Sequence, residues 1–402
     1  MAAPLSPTAA TVTSDMPASP WASSLPGDLI RLIASRLLAG DLLEYVRFRA
    51  VCNSWRSGTV SPHGRGVVDP CFHPHRWMIF PEGDGVYPGH PKLCGYVRFF
   101  NLDTGVFVRV HIPLFEDHCI LDSYQGLLVL QRDHDTAIRL LHPFIGDILD
   151  LPPLSTLPPQ MHQTLRGLPA RRKLPCLRYI STAATFVDGV VTVLLSFNYL
   201  YFVAVAASHD HQWTMSTWYY DISSAPFSHQ GKLYVLYSDL CHCVRISQID
   251  TPLPECNSEI LVIGASDTTY CSKLLVYKLA DLLMGNYIPM ASIGDKAIFL
   301  HTRTLCVSTK ALPTIVGDTI VHIHPMGHHG GIAQYDLSSG SWSPAMDQCS
   351  LRGSEPGPCS LIQHIFTCCS RKHWNKGLLF RWRKYGGPFL RWPVNGKLRL
   401  RA

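Results

Sequence analysis

The chain has 402 residues, 47% of them hydrophobic and 16% charged, with a formal net charge of +6. That length exceeds one typical domain and can bury a sizeable core. Thirty prolines and 29 glycines, scattered rather than tracted, exclude a mainly helical protein and suit many short strands joined by turns.

Residues 1–20 are rich in Ala, Pro, Ser and Thr, and Asp15 is their only charge. They lack the basic start and apolar centre of a secretory signal and the arginines of a transit peptide, so they read as a disordered tail. A helical segment is predicted over residues 21–60. Pro26 suits a first helical turn, and Asp28 complements the dipole there. Leu29, Ile30, Ile33 and Leu37 recur at helical spacing on one face, with Arg31, Ser35 and Arg36 largely elsewhere. Gly40 is placed to end this helix in a left-handed cap. Asp41 with Glu44 reads as a capping box opening a second helix, whose apolar members are Leu42, Leu43, Val46 and Phe48. Val51, Cys52 and Trp55 form a third apolar cluster. So short a segment buries too little surface to be stable unaided.

Leu-Pro-x-x-Leu-Ile from Leu25, the aliphatic ladder and Val-Cys-x-x-Trp from Val51 together resemble an F-box. That module docks a protein onto the Skp-type adaptor of a cullin-RING ubiquitin ligase. Gly27 departs from the acidic or polar residue common there. The resemblance covers about one tenth of the chain; it implies adaptor binding through Leu25, Pro26, Leu29, Ile30, Ile33, Leu37, Val51, Cys52 and Trp55. Spacing alone would also fit a helical hairpin packed on its own domain.

After a linker at Ser61-Pro62-His63-Gly64, residues 65–350 read as strands and turns. Val97–Phe100, Asn101-Leu-Asp-Thr-Gly105 and Val106–Val108 make a strand, a turn and a strand, with Asp103 suited to bonding the local backbone and Gly105 to positive φ. The same grammar returns at His142–Ile148 and Gln334–Trp342. Strands entered from a glycine follow Gly126, Gly231 and Gly294. Gly105 and Gly146 stand 41 residues apart, Gly189 and Gly231 42. A propeller blade occupies about 40–50 residues, which predicts about six to seven blades; a β-sandwich or stacked barrels are the alternatives. Phe299-Leu300, Leu305–Ser308, Gly317–Ile320 and Tyr335–Trp342 are similar to the C-terminal half of a plant domain of unknown function, the KIB-type β-propeller. Asn101–Gly105 and His142–Pro153 are similar to its N-terminal half. The expected architecture is therefore a small all-α F-box followed by an all-β domain. Leu154–Arg178, with clustered Pro, Arg and Lys, reads as an exposed loop. Val190–Ala207 is uncharged and long enough to raise a membrane helix, yet its β-branched and aromatic residues around Ser196-Phe197-Asn198 predict two buried strands and a turn.

Fourteen cysteines without a secreted-domain framework, and no Asn-x-Ser/Thr sequon, point to buried thiols in a reducing compartment. Cys241-His242-Cys243, His322 with His324, and Cys359, Cys368, Cys369 and His373 are the groupings that resemble metal ligands. None has a second ligand pair at zinc-site spacing, so no metal and no cofactor is assigned. Nucleophile elbows, phosphate loops and dinucleotide fingerprints are missing from the sequence, and Gly327-His-His-Gly-Gly reads as a turn. No catalytic residue is assigned. Residues 351–402 form a basic, aromatic tail whose start is placed to complete the last blade. From Arg371 onward it holds ten Lys or Arg and no acid, which leaves the rest of the chain at −4. Its interleaved Trp374, Trp382 and Trp392 suit nucleic acid, but strand-like Leu378–Phe380 favours closure of the last blade. The expectation is a non-catalytic substrate receptor, cytoplasmic or nuclear, that binds a Skp-type adaptor, through it cullin, and an unknown protein target. Neither a membrane nor a nucleic-acid partner is expected. An interaction propeller without ligase recruitment is the alternative, and a nucleic-acid-associated protein the third reading.

Overall fold

The computed structural model describes residues 25–80, 88–157, 166–167, 176–198, 200, 202–215, 221–222, 226–229, 232–238, 244–249, 261–265, 273–286, 288–301, 304–312, 315–323, 332–345 and 361–369. The chain divides into two compact units, Met1–Pro62 and His63–Ala402.

The first unit contains helices α1 (Gly27–Gly40), α2 (Leu42–Ala50) and α3 (Asn53–Ser57). Pro26 stands at the N-cap of α1, and its carbonyl accepts from the Ile30 N–H at 3.1 Å. Gly40 is the last helical residue rather than a left-handed cap. The helix stops because Asp41 turns extended, φ −156°, while its N–H still donates to Leu37 O. The Asp41 side chain then accepts from Leu43 N at 2.9 Å and caps α2. Glu44 does not complete a capping box. It pairs with Arg47 one turn on, and the Asp41 N–H it would have bonded is already engaged with Leu37.

The second unit is built from mainly antiparallel sheets. Strands β1 (Trp77–Phe80), β2 (Tyr96–Asn101) and β3 (Phe107–His111) form a three-stranded sheet. Strands β4 (His118–Tyr124), β5 (Leu127–Arg132), β6 (Ile138–Leu141) and β7 (Ile148–Leu151) follow in sequence order, with a register shift between Ile120 and Asp122. A third sheet repeats that order with β8 (Ile180–Val187), β9 (Val190–Phe197), β10 (Phe202–Ala207) and β11 (Thr214–Met215). In the fourth, β14 (Lys232–Ser238) pairs with β12 (Asp221–Ile222), β13 (Phe227–His229) and β15 (Val244–Ile249). A two-stranded sheet joins β16 (Leu261–Ala265) and β17 (Leu274–Lys278), and the short helix α4 (Leu279–Leu283) follows β17. The last sheet combines β18 (Lys296–Phe299), β19 (Leu305–Ser308), β20 (Thr319–Ile323), β21 (Ile332–Asp336) and β22 (Ser341–Pro344) in the order β19-β18-β20-β21-β22, with β18 and β20 parallel.

Among the described residues four sheets therefore have the four or more strands of a full blade, which corrects the expected six to seven to four. Dividing the region by a 41-residue period overcounts for two reasons. Long connections add to the period without adding strands: the described residues between β7 and β8, among them 152–157 and 176–179, contribute none to a sheet. The spaced glycines also belong to two turn classes: Gly105 and Gly146 close outer hairpins, whereas Gly189 lies in the tight β8–β9 turn. Val190–Ala207 forms β9 and the whole of β10, joined at residues 198–201. Among the described residues no helix is long and apolar enough to cross a membrane.

The outer hairpins share one turn chemistry. Asn101 Oδ1 accepts from Asp103 N and Thr104 N, both at 3.0 Å, and Gly105 N returns to Asn101 O. Asn101, rather than Asp103, thus bonds the turn backbone; Asp103 pairs with Arg76 at 2.6 Å. His142 plays the same part with its Nδ1, accepting from Phe144 N and Ile145 N, and Gly146 N returns to His142 O. Asp336 does so with Ser339 N and Gly340 N. Thr136 N returns likewise to Arg132 O, with Thr136 at φ 61° in place of a glycine.

One core lies between the β4–β7 and β8–β11 sheets, among Leu127, Val129, Leu140, Val193, Leu195, Phe197 and Trp213. The supposedly exposed Leu154–Arg178 loop enters it at both ends. Leu154, Leu157 and Cys176 are buried there, and Arg178 is 4% exposed and bonded to Gln131 and Asp133. A second core joins the first sheet to the last and to α5 (Leu361–Cys369). The thiols are only partly internal: Cys119, Cys176 and Cys369 are buried, but Cys71, Cys94 and Cys306 are exposed.

Two glycines in the left-handed region separate backbone strain from packing. A Cβ on Gly126, φ +82°, would lie 2.1 Å from Pro74 O, whereas one on Gly146, φ +83°, meets nothing within 4 Å. Gly146→Ala is expected to cost about 1 kcal/mol from backbone conformation. Gly126→Ala should cost about 3 kcal/mol or more, because main chain must move. Denaturant unfolding of both variants checks the ordering.

Candidate functional site

The helical unit splits its apolar residues between two faces of α1. Ile30 and Ala34 point inward, 2% and 3% exposed, and Leu37 is half-buried behind them. Leu29, Leu32 and Ile33 point outward at 45%, 48% and 37% exposure. At 100° per residue Leu29, Leu32, Ile33 and Arg36 lie within one stripe beside the buried one. The ladder expected on one face therefore serves two, and Leu32 belongs to the exposed stripe although the ladder omitted it. Its spacing three residues after Leu29 is the signal that marks it.

The remaining expected contact residues divide similarly. Leu25 is half-buried, Pro26 exposed, Val51 54% exposed and Cys52 half-buried. Trp55 is internal, 7% exposed and stacked on Phe48 with ring centroids 4.3 Å apart. Sequence reasoning missed Tyr45 and Arg49, which fasten the segment after α3. Tyr45 Oη donates to Val60 O at 2.6 Å, and Arg49 Nη1 donates to Thr59 O and Val60 O. Nothing in their spacing marks them, because each bonds a backbone carbonyl.

In the β-rich unit the buried polar groups are used between sheets. Asp122 on β4 accepts from Thr182 N at 2.7 Å and Thr182 Oγ1 at 2.8 Å on β8, and from Ser123 N. Tyr124 bonds Ser228 on β13, and burial raises its phenol pKa. Trp213 Nε1 donates to Pro152 O at 2.7 Å. His142 Nε2 donates to Phe72 O at 2.9 Å, and its Nδ1 serves the turn amides; burial lowers its pKa. His73 Nε2 donates to Val67 O at 3.0 Å, and Nδ1 lies 3.1 Å from the Gln125 amide. Burial is the main cause that lowers the His73 pKa to about 4.

Among the described residues no three His, Cys, Asp or Glu side chains converge as metal ligands. Cys369 lies in the apolar core of α5, and His322 Nδ1 donates to Leu300 O. Cys241–Cys243, His324, Gly327–Gly331, Cys359, His373 and the basic segment 371–402 lie outside the described residues, as do residues 1–20.

A helical unit joined to meandering four-stranded sheets defines a propeller protein with an N-terminal helical module. Residues 99–336 match the KIB1-4 beta-propeller family, and the chain belongs to it. The matched span runs from β2 to the end of β21. No curated protein matches the chain.

The unfolded chain takes up a proton at His73 near pH 6.5, the folded chain only near pH 4. Stability from this group is complete above pH 6.5 and is lost as pH falls toward 4, by about 3 kcal/mol in all. Unfolding free energies across that window should slope less steeply for His73→Gln, by about 1.4 kcal/mol per pH unit. Asp122→Asn turns an amide hydrogen toward donors that now meet a carboxylate oxygen. It should destabilise the protein by about 2–4 kcal/mol in denaturant titration, and Asp122→Ala comparably.

Proposed function

We propose that this protein is the substrate-recognition subunit of a Skp–cullin–F-box ubiquitin ligase, acting in the cytoplasm or nucleus. The single observation that carries the reading is the uncovered stripe Leu29, Leu32 and Ile33, lying inside an F-box-like Leu25–Trp55 segment. Exposed apolar side chains gain by being covered: fully burying a leucine or isoleucine is worth about 1.5–3 kcal/mol. The stripe is already about half covered, so each residue would contribute roughly 1 kcal/mol on docking. Val51, 54% exposed, is the candidate contact at the far end of α2.

Ile30 and Trp55 take a different part in this reading. Both are internal, so they shape the module rather than touch the adaptor. The propeller supplies loops for a protein target, and loops on a rigid scaffold are the usual carriers of recognition. The receptor itself is non-catalytic: it raises the effective concentration of target lysines near the ubiquitin-conjugating enzyme.

Co-purification of the full chain with a Skp-type adaptor tests this. Leu29→Asp/Ile33→Asp should reduce recovery at least about tenfold, since two carboxylates would be desolvated at the contact. Its thermal unfolding should fall only slightly, because both positions lie outside the buried face of α1. Trp55→Ala should lose adaptor and module stability together, by about 3 kcal/mol for the latter. Undiminished recovery with the double variant, or no recovery with wild type, would leave an interaction propeller without ligase recruitment.

A further inference from the structure

Arg36 closes the exposed stripe of α1. It follows Leu29, Leu32 and Ile33 at helical spacing and is itself exposed. The other arginines of the module are engaged within it. Arg31 pairs with Asp28, Arg47 with Glu44, Arg49 bonds Thr59 and Val60, and Arg56 reaches Arg49 O. Arg36 makes no ion pair among the described residues. Residues 25–62 hold five arginines and three carboxylates, a net charge of +2.

We infer that Arg36 is a specificity-determining contact, and that the partner's surface joins an apolar groove to a carboxylate at one end. The inference rests on the adaptor-docking reading above and deepens it. Seven residues at 1.5 Å rise put the Arg36 Cα about 10 Å along the helix from that of Leu29. The carboxylate therefore lies about 10 Å beyond the pocket that receives Leu29, and only one direction of the helix satisfies both ends. Apolar burial alone is indifferent to that direction, whereas a charged pair at one end fixes register. A guanidinium suits the task because its planar fork meets a carboxylate at two points.

The test is titration of the full chain with purified Skp-type adaptor at low and high salt. Arg36→Glu should weaken binding about tenfold at low salt, mainly by slowing association, and should flatten the salt dependence. Arg36→Gln should weaken it about threefold. Both variants should unfold at the wild-type temperature. An Asp/Glu→Arg scan of the adaptor should find one substitution that restores Arg36→Glu. If wild type binds and Arg36→Glu stays within about twofold of it, the inference is overturned while the receptor reading stands. If wild type does not bind the adaptor, both fall.

Discussion

The aromatic seam between the first and last sheets holds the β-rich unit closed. Met78, Phe80 and Phe100 from β1 and β2 share one core with Phe299, Val307 and Val321 from β18 to β20, more than 190 residues away in the chain. A backbone bond from Ser308 N to Leu102 O, 2.9 Å, locks the two sheets in register. Each buried aromatic contributes about 2 kcal/mol, while the entropy of closing so long a loop rises only logarithmically with its length. Helix α5 extends the same core through Ile362, Ile365 and Phe366, so the chain beyond the last strand adds to the closure. A fold closed this way has mostly non-local contacts at its seam and should form late in folding.

The polar groups on the inner strands are spent on the same problem. Asp122 ties β4 to β8, Tyr124 ties β4 to β13, and Arg178 ties the segment before β8 to Gln131 and Asp133. A buried carboxylate or guanidinium costs several kcal/mol to desolvate unless it is met by several donors or acceptors. Its partners are therefore specified as closely as its own position. Hydrophobic contact brings the sheets together, and these bonds determine which residues stand opposite each other.

Much of this was legible at the turns and little of it between them. Asn101, His142 and Asp336 open the hairpins ending in Gly105, Gly146 and Gly340, and glycine marks the positive φ in each. The Arg132–Thr136 turn has the same hydrogen bond without that mark, so pattern reading passes over it. The imidazole of His142 likewise stands in for an asparagine side chain, a substitution visible only in the geometry. The blade count failed because a period measured between turns says nothing about the length of the connections. The Val190–Ala207 strands were readable because β-branched and aromatic residues outweigh mean hydropathy in so short a run. In the helical module the apolar ladder was legible as a helix. Its division into an inner and an outer face was not, since only about 60° around the axis separates Ile33 from Ile30.

That division sets how the module reconciles folding with recognition. Ile30, Ala34, Tyr45, Phe48 and Trp55 are consumed in holding three short helices together. The Tyr45 and Arg49 bonds to residues 59–60 replace packing that so small a unit lacks. Because stability is met from within, the outer stripe is free to vary with whatever it docks against, at little cost to the fold. The buried face tolerates no such freedom, since a cavity there removes a large share of a small core. The two faces of one helix are thus under separate physical constraints: shape complementarity inward, and outward a pattern of apolar area ending in a single positive charge.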